Sequence, residues 1–315
     1  MRLLFLNRSF WPDPEASGQL LTELCEDLSR DHEITVIAGR SLHVPTAQRR
    51  WLQQDALGPV TILRASGTIL PKDRLAGRLL NLSSYVVLAA LGALRTERPD
   101  VVIAETDPPL LGLLGALLKR RWRCRFVYYC QDLYPEIAEA TGGVRGRLPL
   151  RLLRSANRIA YDRADRVIAL GRDMERKLLA MNVRREKIVV VPNWVDCDAI
   201  RPSAGGPFRA ALGERFVVMY SGNLGLTQGL EAVLEAAAAM RDDGRTLFVL
   251  IGEGARKASL EGRAQALGLA NVRFFPYQPK SSLSDTLGAA DLHLIPLAAG
   301  AAGFVVPSKL YGILA

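Results

Sequence analysis

Short runs of apolar residues recur along the chain and alternate with longer segments in which apolar positions repeat at the spacing of a helix. Because the short runs are apolar throughout, they are typical of strands buried on both faces of a parallel sheet. They predict strands at 3–6, 34–38, 60–63, 101–104, 126–129, 167–170 and 188–191. This first series predicts an α/β fold with a doubly wound, largely parallel sheet covered by helices on both sides.

A segment rich in proline, glycine and aspartate, PNWVDCDAIRPSAGGP at 192–207, separates this series from a second one. The second series predicts strands at 216–220, 247–251, 272–275 and 292–296, again separated by helical segments. The pattern thus predicts two Rossmann-like domains, 1–204 and 205–315. The final VPSKLYGILA predicts a helix with Ser308 as N-cap and no capping residue before Ala315, so we expect the second domain to be incomplete.

The segment SGNLGLTQGL at 221–230 joins the first strand of the second series to an alanine-rich helical run at 231–240. Glycine has no side chain, so main-chain N–H groups at Gly222 and Gly225 can approach an anion closely. The positive end of a following helix would add to the attraction. Such turns are common, but this one opens the second domain and predicts a phosphate site there.

Composition narrows the class of protein. The chain has 315 residues, 49% of them hydrophobic, which is enough for one large core or two. The longest candidate for a membrane span, 79–94, includes polar residues, and the apolar start MRLLFLN is too short for a signal peptide. We therefore expect a cytoplasmic protein. Four cysteines without a CxxC pair and three histidines without ligand spacing indicate neither disulfides nor structural zinc.

Positive charge is concentrated in the first domain. Residues 1–204 hold 31 Lys and Arg against 23 Asp and Glu, which accounts for +8 of the net charge of +9. The densest stretches are KRRWRCR at 119–125, which follows an apolar helical run at 110–118, and the arginine-rich 145–166. They are suited to the anionic surface of a membrane or to nucleic acid. The alternatives are ordinary solvated helix faces and, at 110–118, a buried helix that runs into a polar loop.

Several segments together resemble glycosyltransferase family 4, the retaining sugar-nucleotide enzymes of the GT-B architecture. QDLYPE at 131–136, VVPNWVD at 190–196, FFPYQPKSSLSDTLGAADLHLIPL at 274–297 and GFVVPSKLYGILA at 303–315 carry the resemblance, which runs the whole length of the chain. QDLYPE is similar to the branch of colanic acid and O-antigen amino-fucosyl transferases. The family continues beyond the last of these segments.

The resemblance implies transfer of a sugar, of the deoxy or N-acetylated hexose type, from a UDP- or GDP-sugar. The implied acceptor is lipid-linked or an oligosaccharide, with a polyprenyl-diphosphate-linked sugar expected in surface polysaccharide biosynthesis. Such an acceptor implies a peripheral position on the cytoplasmic face of the inner membrane. We expect no cofactor and a reaction that does not depend on a metal ion.

The resemblance also implies a catalytic pair. Breaking the bond between sugar and nucleotide leaves negative charge on a diphosphate, which Lys309 is expected to stabilise. Asp132 follows a predicted strand at the carboxyl end, where open parallel sheets place ligands, and is expected to orient or deprotonate the acceptor hydroxyl. The implied donor-binding set is Ser17, Gly18, Asn193, Gly222, Asn223, Gln228, Glu253, Tyr277, Gln278, Gly303 and Ser308.

The chain departs from the family in this donor half. The family's glutamate pair falls on Phe304 and Gly312, and its phosphate-binding Arg and Lys fall on Asn223 and Gln228. The missing positive charges are expected to be replaced by Lys309, by backbone N–H groups around Gly222 and Gly303, and by the helix that starts at Ser308.

Each of these residues also has a purely structural interpretation. Ser308 and Ser17 would be helix caps, Lys309 an exposed lysine, Asp132 a turn or N-cap residue before Pro135, Asn193 a hinge turn, Tyr277 a packed aromatic and His293 a core residue.

Three other functions remain as alternatives. A noncatalytic nucleotide-binding or assembly protein is the main one. An NAD-dependent oxidoreductase lacks support, since NRSFWPDPEASG offers a single glycine after the first strand instead of GxGxxG. A nucleic-acid binder lacks a recognition motif, so we expect no nucleic-acid partner.

Overall fold

The computed structural model describes residues 1–13, 15–41, 51–70, 75–140 and 146–315, of which 75, 76, 78, 79 and 147 are described by their backbone only. Contacts divide the chain into two compact units. The first comprises Met1–Glu139, Val144–Pro192 and Gly303–Val306; the second comprises Ala140–Gly143, Asn193–Ala302 and Pro307–Ala315. The units change at Pro192, earlier than the predicted domain boundary at 204/205, which stays a prediction.

An eight-stranded sheet forms the centre of the first unit. Its strands are β1 Arg2–Leu6, β2 Glu33–Gly39, β3 Leu52–Leu57, β4 Val60–Ala65, β5 Val101–Glu105, β6 Arg125–Tyr129, β7 Arg166–Ala169 and β8 Ile188–Val190. They lie in the order β3-β4-β2-β1-β5-β6-β7-β8. All neighbours are parallel except β3 and β4. Strand order reverses beside β1, which is the topological switch where such sheets bind ligands.

Helices join these strands. They are α1 Ala16–Leu28, α2 Leu75–Ala93, α3 Leu111–Trp122, α4 Glu136–Ala140, α5 Arg147–Arg163 and α6 Arg172–Ala180, with a 3₁₀ turn at Arg185–Lys187. α3 packs against α5 and also contacts α2, so these three helices share one layer. The fully buried aromatic rings of Phe126 and Tyr128 on β6 fill the core beneath α3.

The first unit differs from the sequence analysis at one strand that was not predicted and at one alternative interpretation, the helix cap at Ser17. β3 was not predicted, because LQQDAL has no apolar run; it pairs antiparallel with β4 at the edge of the sheet, where only one side needs cover. Ser17 is not a helix cap, since α1 already begins at Ala16 and Glu15 occupies the N-cap position.

The second unit has a four-stranded parallel sheet in the order β11-β10-β9-β12. Its elements are α7 Gly206–Leu212, β9 Phe216–Ser221, α8 Glu231–Ala239, β10 Thr246–Ile251, α9 Lys257–Ala266, β11 Val272–Phe275, a 3₁₀ turn Lys280–Ser282, α10 Leu283–Gly288, β12 Leu292–His293 and α11 Lys309–Leu314. The strand predicted at 292–296 pairs only at Leu292 and His293. Pro296 has no N–H to continue the ladder.

Alternate residues of β9 explain its continuous apolarity. Val218 and Tyr220 pack into one buried cluster, while Val217 and Met219 pack into another on the opposite face. A strand covered on both faces needs apolar residues at every position, so the prediction of two α/β sheets is confirmed. In the parts of the chain that the structure describes, no helix combines the length and apolarity needed to cross a membrane.

Candidate functional site

The carboxyl ends of β5 and β6 bring several polar side chains together in the first unit. The two strands are neighbours with Glu105 opposite Tyr129, so the residues that follow them lie side by side. The hydroxyl oxygen of Thr106 accepts hydrogen bonds from the backbone N–H groups of Gln131 (3.2 Å) and Asp132 (3.1 Å). The loop after β5 therefore fixes the loop that carries Asp132.

Asp132 lies among other carboxylates. Its pKa is raised to about 7, mainly because burial disfavours the charged form and further because Asp107 is negative. Asp107 forms an ion pair with Arg8 (3.2 Å) and accepts a 3.4 Å hydrogen bond from the hydroxyl of Ser9. A carboxyl that titrates near neutrality at a strand end can exchange a proton with a bound hydroxyl.

Glu105 is a second titratable carboxyl in this cluster. It is 1% exposed, and burial raises its pKa to about 8, with smaller upward contributions from Asp107 and Asp132. Its Oε1 accepts a hydrogen bond from Gln131 Nε2 (3.2 Å), whereas its buried Oε2 has no partner among the described residues. Burial therefore favours the neutral form of Glu105.

A segment from late in the chain packs beside this cluster. The Leu133 N–H donates to the Phe304 carbonyl (2.8 Å), and Asp132 pairs with Val305 in an isolated antiparallel bridge. Lys177 lies 4.4 Å from the centre of the Phe304 ring. Gly303, which has φ +79°, therefore belongs to the first unit, although the sequence assigned it to the donor half.

Ser17 and Gly18 lie in the first turn of α1. Gly18 is buried, and a Cβ there would come within 3.1 Å of the Ser9 backbone, so the loop after β1 would have to shift by a few tenths of an ångström to admit one. A role of either residue in donor binding stays a prediction.

Lys309, at the start of α11, is the central group of the second unit. Its Nζ donates to the Tyr220 hydroxyl (3.0 Å) and lies 4.4 Å from the centre of that ring. It forms no ion pair with any described carboxylate, and burial lowers its pKa to about 8. A Cβ at Gly222 would come within 2.7 Å of Lys309 Cε, so the absence of a side chain there makes room for the lysine.

The glycine turn after β9 differs from the prediction. The Gly222 N–H donates to the Ile251 carbonyl (2.9 Å) and the Leu224 N–H to the Glu253 carbonyl (2.8 Å), so neither is available to a phosphate. The helix α8 begins only at Glu231. The Gly222 N–H itself does not replace missing charge in this conformation, because the turn uses that group to join β10. The expectation for the other N–H groups around Gly222 stays a prediction.

Other predicted donor residues lie around the same turn. Gln228 Oε1 accepts from the Gly225 N–H (3.2 Å), and the Asn223 carbonyl accepts from the Tyr220 hydroxyl (2.7 Å). Glu253 pairs with Lys257 (2.6 Å), four residues later. These residues form one network at the carboxyl ends of β9 and β10; their contact with a donor stays a prediction.

The remaining predicted residues are more dispersed. Tyr277 is 48% exposed, so it is not a packed core aromatic, and Gln278 donates to the Pro276 carbonyl (3.0 Å). Asn193 is buried and has no positive φ. Ser308 is confirmed as the N-cap residue of α11, without a side-chain capping bond.

His293 is half-buried in β12. Its Nε2 lies 3.0 Å from the Leu287 carbonyl, and burial lowers the pKa of the imidazole. Its Nδ1 is buried without a partner among the described residues. The contact with Leu287 is consistent with the predicted structural role, although the ring is not fully buried.

Metal binding has no candidate within the described ranges, where no three His, Cys, Asp or Glu side chains converge. The prediction of a metal-independent site is not tested by this. Arg8, Glu105, Thr106 and Asp107 were missed from the sequence. The segment AETDPP directly after an apolar run was the available signal, because it ends at the same edge of a parallel sheet as QDLYPE.

Comparison with protein families gives matches to both halves. Residues 17–194 match the glycosyl transferase 4-like domain, and residues 208–306 match the glycosyl transferases group 1 domain. The putative colanic acid biosynthesis glycosyl transferase WcaI of Escherichia coli is 31% identical over 338 residues, covering 100% of this chain and 81% of that protein.

Solved structures share the fold. Sucrose-phosphate synthase of Thermosynechococcus elongatus superposes with a TM-score of 0.75 at 16% identity, covering 95% of this chain and 76% of that one. HepE of Anabaena, in complex with UDP-glucose, gives a TM-score of 0.63 at 19% identity over 93% of this chain and 73% of its own.

Proposed function

This chain belongs to the glycosyltransferases with a 4-like first domain and a group 1 second domain, and from that premise we propose which sugar donor and which acceptor it uses. The donor is a UDP- or GDP-sugar, and the acceptor is a polyprenyl-diphosphate-linked sugar in surface polysaccharide biosynthesis. The colanic acid role in the name of the relative WcaI supports the polysaccharide, and the UDP-glucose bound to HepE supports UDP.

The observation that carries the proposal is Lys309, a partly buried cation without a carboxylate partner in the described chain. Burial removes part of the hydration of its ammonium group, and the Tyr220 hydroxyl and ring are neutral partners that supply no opposite charge, which a bound anion would provide. The diphosphate of a sugar nucleotide is such an anion, and its charge grows as the bond to the sugar breaks. Lys309 therefore stabilises the leaving group more strongly in the transition state than in the ground state.

In this mechanism, Asp132 interacts with the hydroxyl group of the acceptor. Its pKa of about 7 lets it accept a hydrogen bond or a proton from the acceptor hydroxyl near neutral pH. The acceptor oxygen forms the new bond to the anomeric carbon while the bond from that carbon to the diphosphate breaks. A retaining outcome, with the departing phosphate oxygen sharing the acceptor proton, is part of the proposal, as is chemistry without a metal ion.

The test is nucleotide binding by the chain and by Lys309→Gln, with UDP and GDP in separate titrations. Loss of one charge-assisted contact costs about 1.5–3 kcal/mol, so the variant should bind the preferred nucleotide roughly 10- to 150-fold more weakly. Because only the protonated lysine attracts phosphate, affinity of the unaltered chain should fall as pH rises through about 8, and that fall should vanish in the variant.

The matched control is Arg241→Gln, which removes an exposed cation from the same unit. It should leave affinity unchanged. Equal binding by Lys309→Gln and the unaltered chain at pH 7 would refute the role of Lys309, and binding of neither UDP nor GDP would refute the proposed donor.

A further inference from the structure

Apolar side chains point to solvent along the outer surface of the helix layer formed by α2, α3 and α5. Eight of them, on these helices or directly after α2, are between 46% and 69% exposed: Leu80, Val87, Leu91, Leu94, Leu117, Leu148, Leu152 and Ile159. We call this surface the outer helical face. On α2 and at Leu94 directly after it, the exposed apolar positions recur at intervals of seven, four and three residues, so they form one stripe.

Positive charge accompanies these apolar residues. Five arginines of α3 and α5 are exposed and form no ion pair with any described residue: Arg120, Arg121, Arg151, Arg158 and Arg163. Acidic groups nearby are few. Asp162 is exposed on α5, while Glu136 and Glu139 pair with Arg154. The outer helical face is thus apolar and strongly basic at once.

The contacts between α3 and α5 join the charged and apolar parts into one surface. Lys119 Nζ donates to the Arg163 carbonyl (2.9 Å) and to Asp165 (2.7 Å), which holds the last turns of the two helices together. On α5, Arg151 and Leu152 are neighbours, as are Arg158 and Ile159. Apolar and basic side chains therefore alternate over short distances instead of forming separate patches.

We infer that the outer helical face docks on an anionic lipid bilayer. Leucine and isoleucine side chains enter the acyl boundary while arginines reach the phosphate groups of the lipids, which is the pattern of interfacial helices. Nucleic acid would satisfy the arginines but leave the eight apolar side chains in water. A symmetric pair of this chain would bury the apolar residues but bring like-charged arginines face to face.

This inference deepens the proposed function, because a lipid-linked acceptor is anchored in such a bilayer. It does not depend on that function for its test, since bilayer binding requires neither donor nor acceptor. Each Lys or Arg close to an anionic surface contributes about a fivefold change in membrane affinity.

The experiment is flotation of the whole chain with phosphatidylcholine vesicles that either contain or lack phosphatidylglycerol. One variant combines Leu148→Ser, Leu152→Ser and Ile159→Ser, and another combines Arg151→Gln and Arg158→Gln. Matched controls remove exposed residues elsewhere: Met240→Ser with Leu267→Ser, and Arg172→Gln with Arg241→Gln. All of these positions are exposed, so circular dichroism and melting should show unchanged folding.

We expect binding to the anionic vesicles that weakens with salt, falls roughly 25-fold without the two arginines and falls at least tenfold in the serine variant. Both controls should bind like the unaltered chain. Absent binding, equal binding by all variants, or concentration-dependent self-association that the serine variant abolishes would overturn the inference. UDP binding measured on the same samples separates the two proposals, because the face variants should retain it.

Discussion

At the carboxyl end of β5, the side chain of Glu105 is buried. One of its carboxyl oxygens accepts a hydrogen bond from Gln131, and the other has no partner among the described residues. Asp132 titrates close by, and Asp107 adds negative charge to both. The three carboxyls are therefore not equivalent. Burial favours the neutral form of Glu105, and Asp107 forms an ion pair with Arg8. Asp132 has a pKa of about 7, so it can change charge near neutral pH.

Glu105→Gln should remove a pH dependence of stability. The pKa of Glu105 is raised from 4.5 to about 8 in the fold, so between these values the unfolded chain has released a proton that the folded chain retains. Stability therefore falls as pH rises from about 4.5 to 8, by up to about 1.4 kcal/mol per pH unit. The variant should lack this contribution in urea unfolding measured across that range.

The control for this measurement is Glu26→Gln, an exposed carboxyl of α1. It should keep the slope of the unaltered chain. An unchanged slope in Glu105→Gln would show that the buried carboxyl is ionised in the folded protein.

Asp107→Asn should move the acid limb of catalysis. If ionised Asp132 serves the acceptor, transfer falls as pH drops through about 7, the pKa raised by burial and by Asp107. Removing the negative charge of Asp107 lowers that pKa and shifts the limb of kcat to lower pH. Asp31→Asn, an exposed substitution, should leave the profile in place. A limb that stays fixed in Asp107→Asn would rule out this coupling.

At the scale of elements, two glycines decide how closely α3 lies on the sheet. A Cβ at Gly112 would come within 2.6 Å of Tyr128 Cζ, and one at Gly115 would overlap the ring of Phe126. Both rings are fully buried. Close approach of this helix to β6 thus depends on the missing side chains.

Gly115→Ala should lower the free energy of unfolding by about 1–3 kcal/mol through overpacking. Gly262→Ala is the matched change, since it also lies within a helix but its added Cβ meets nothing within 4 Å. That variant should gain about 0.5–1 kcal/mol from helix propensity. Urea unfolding of both variants checks the difference, and a similar effect of the two substitutions would contradict the packing argument.

At the scale of the whole molecule, the exposed arginines of the first unit and the buried Lys309 of the second have different proposed roles. The net charge of +9 arises almost entirely before residue 205, and much of it is exposed on the outer helical face. The second unit is nearly neutral, yet it contains the shielded Lys309. Exposed arginines act at long range and are screened by salt, whereas a desolvated lysine acts on a single bound group. Salt should therefore weaken membrane docking far more than nucleotide binding.

The sequence by itself determined the two parallel sheets, because strands covered on both faces must be apolar throughout and that pattern is local. It also led to the prediction of Asp132 and Lys309 as site residues, through motifs that retain their order along the chain. Tertiary structure decided which side chains meet. Glu105 and Asp107 join Asp132 only through the pairing of β5 with β6, and Gly303–Val306 packs with the first unit despite its late position.

The Gly222 N–H is a single group whose hydrogen-bond partner the sequence did not show. A glycine turn after a strand predicts a free donor, but the pairing of β9 with β10 gives that donor to Ile251. β3 escaped prediction because an edge strand needs few apolar residues. Local periodicity specifies elements and their burial, whereas hydrogen-bond partners and pKa values depend on distances between segments far apart in the chain, which only packing sets.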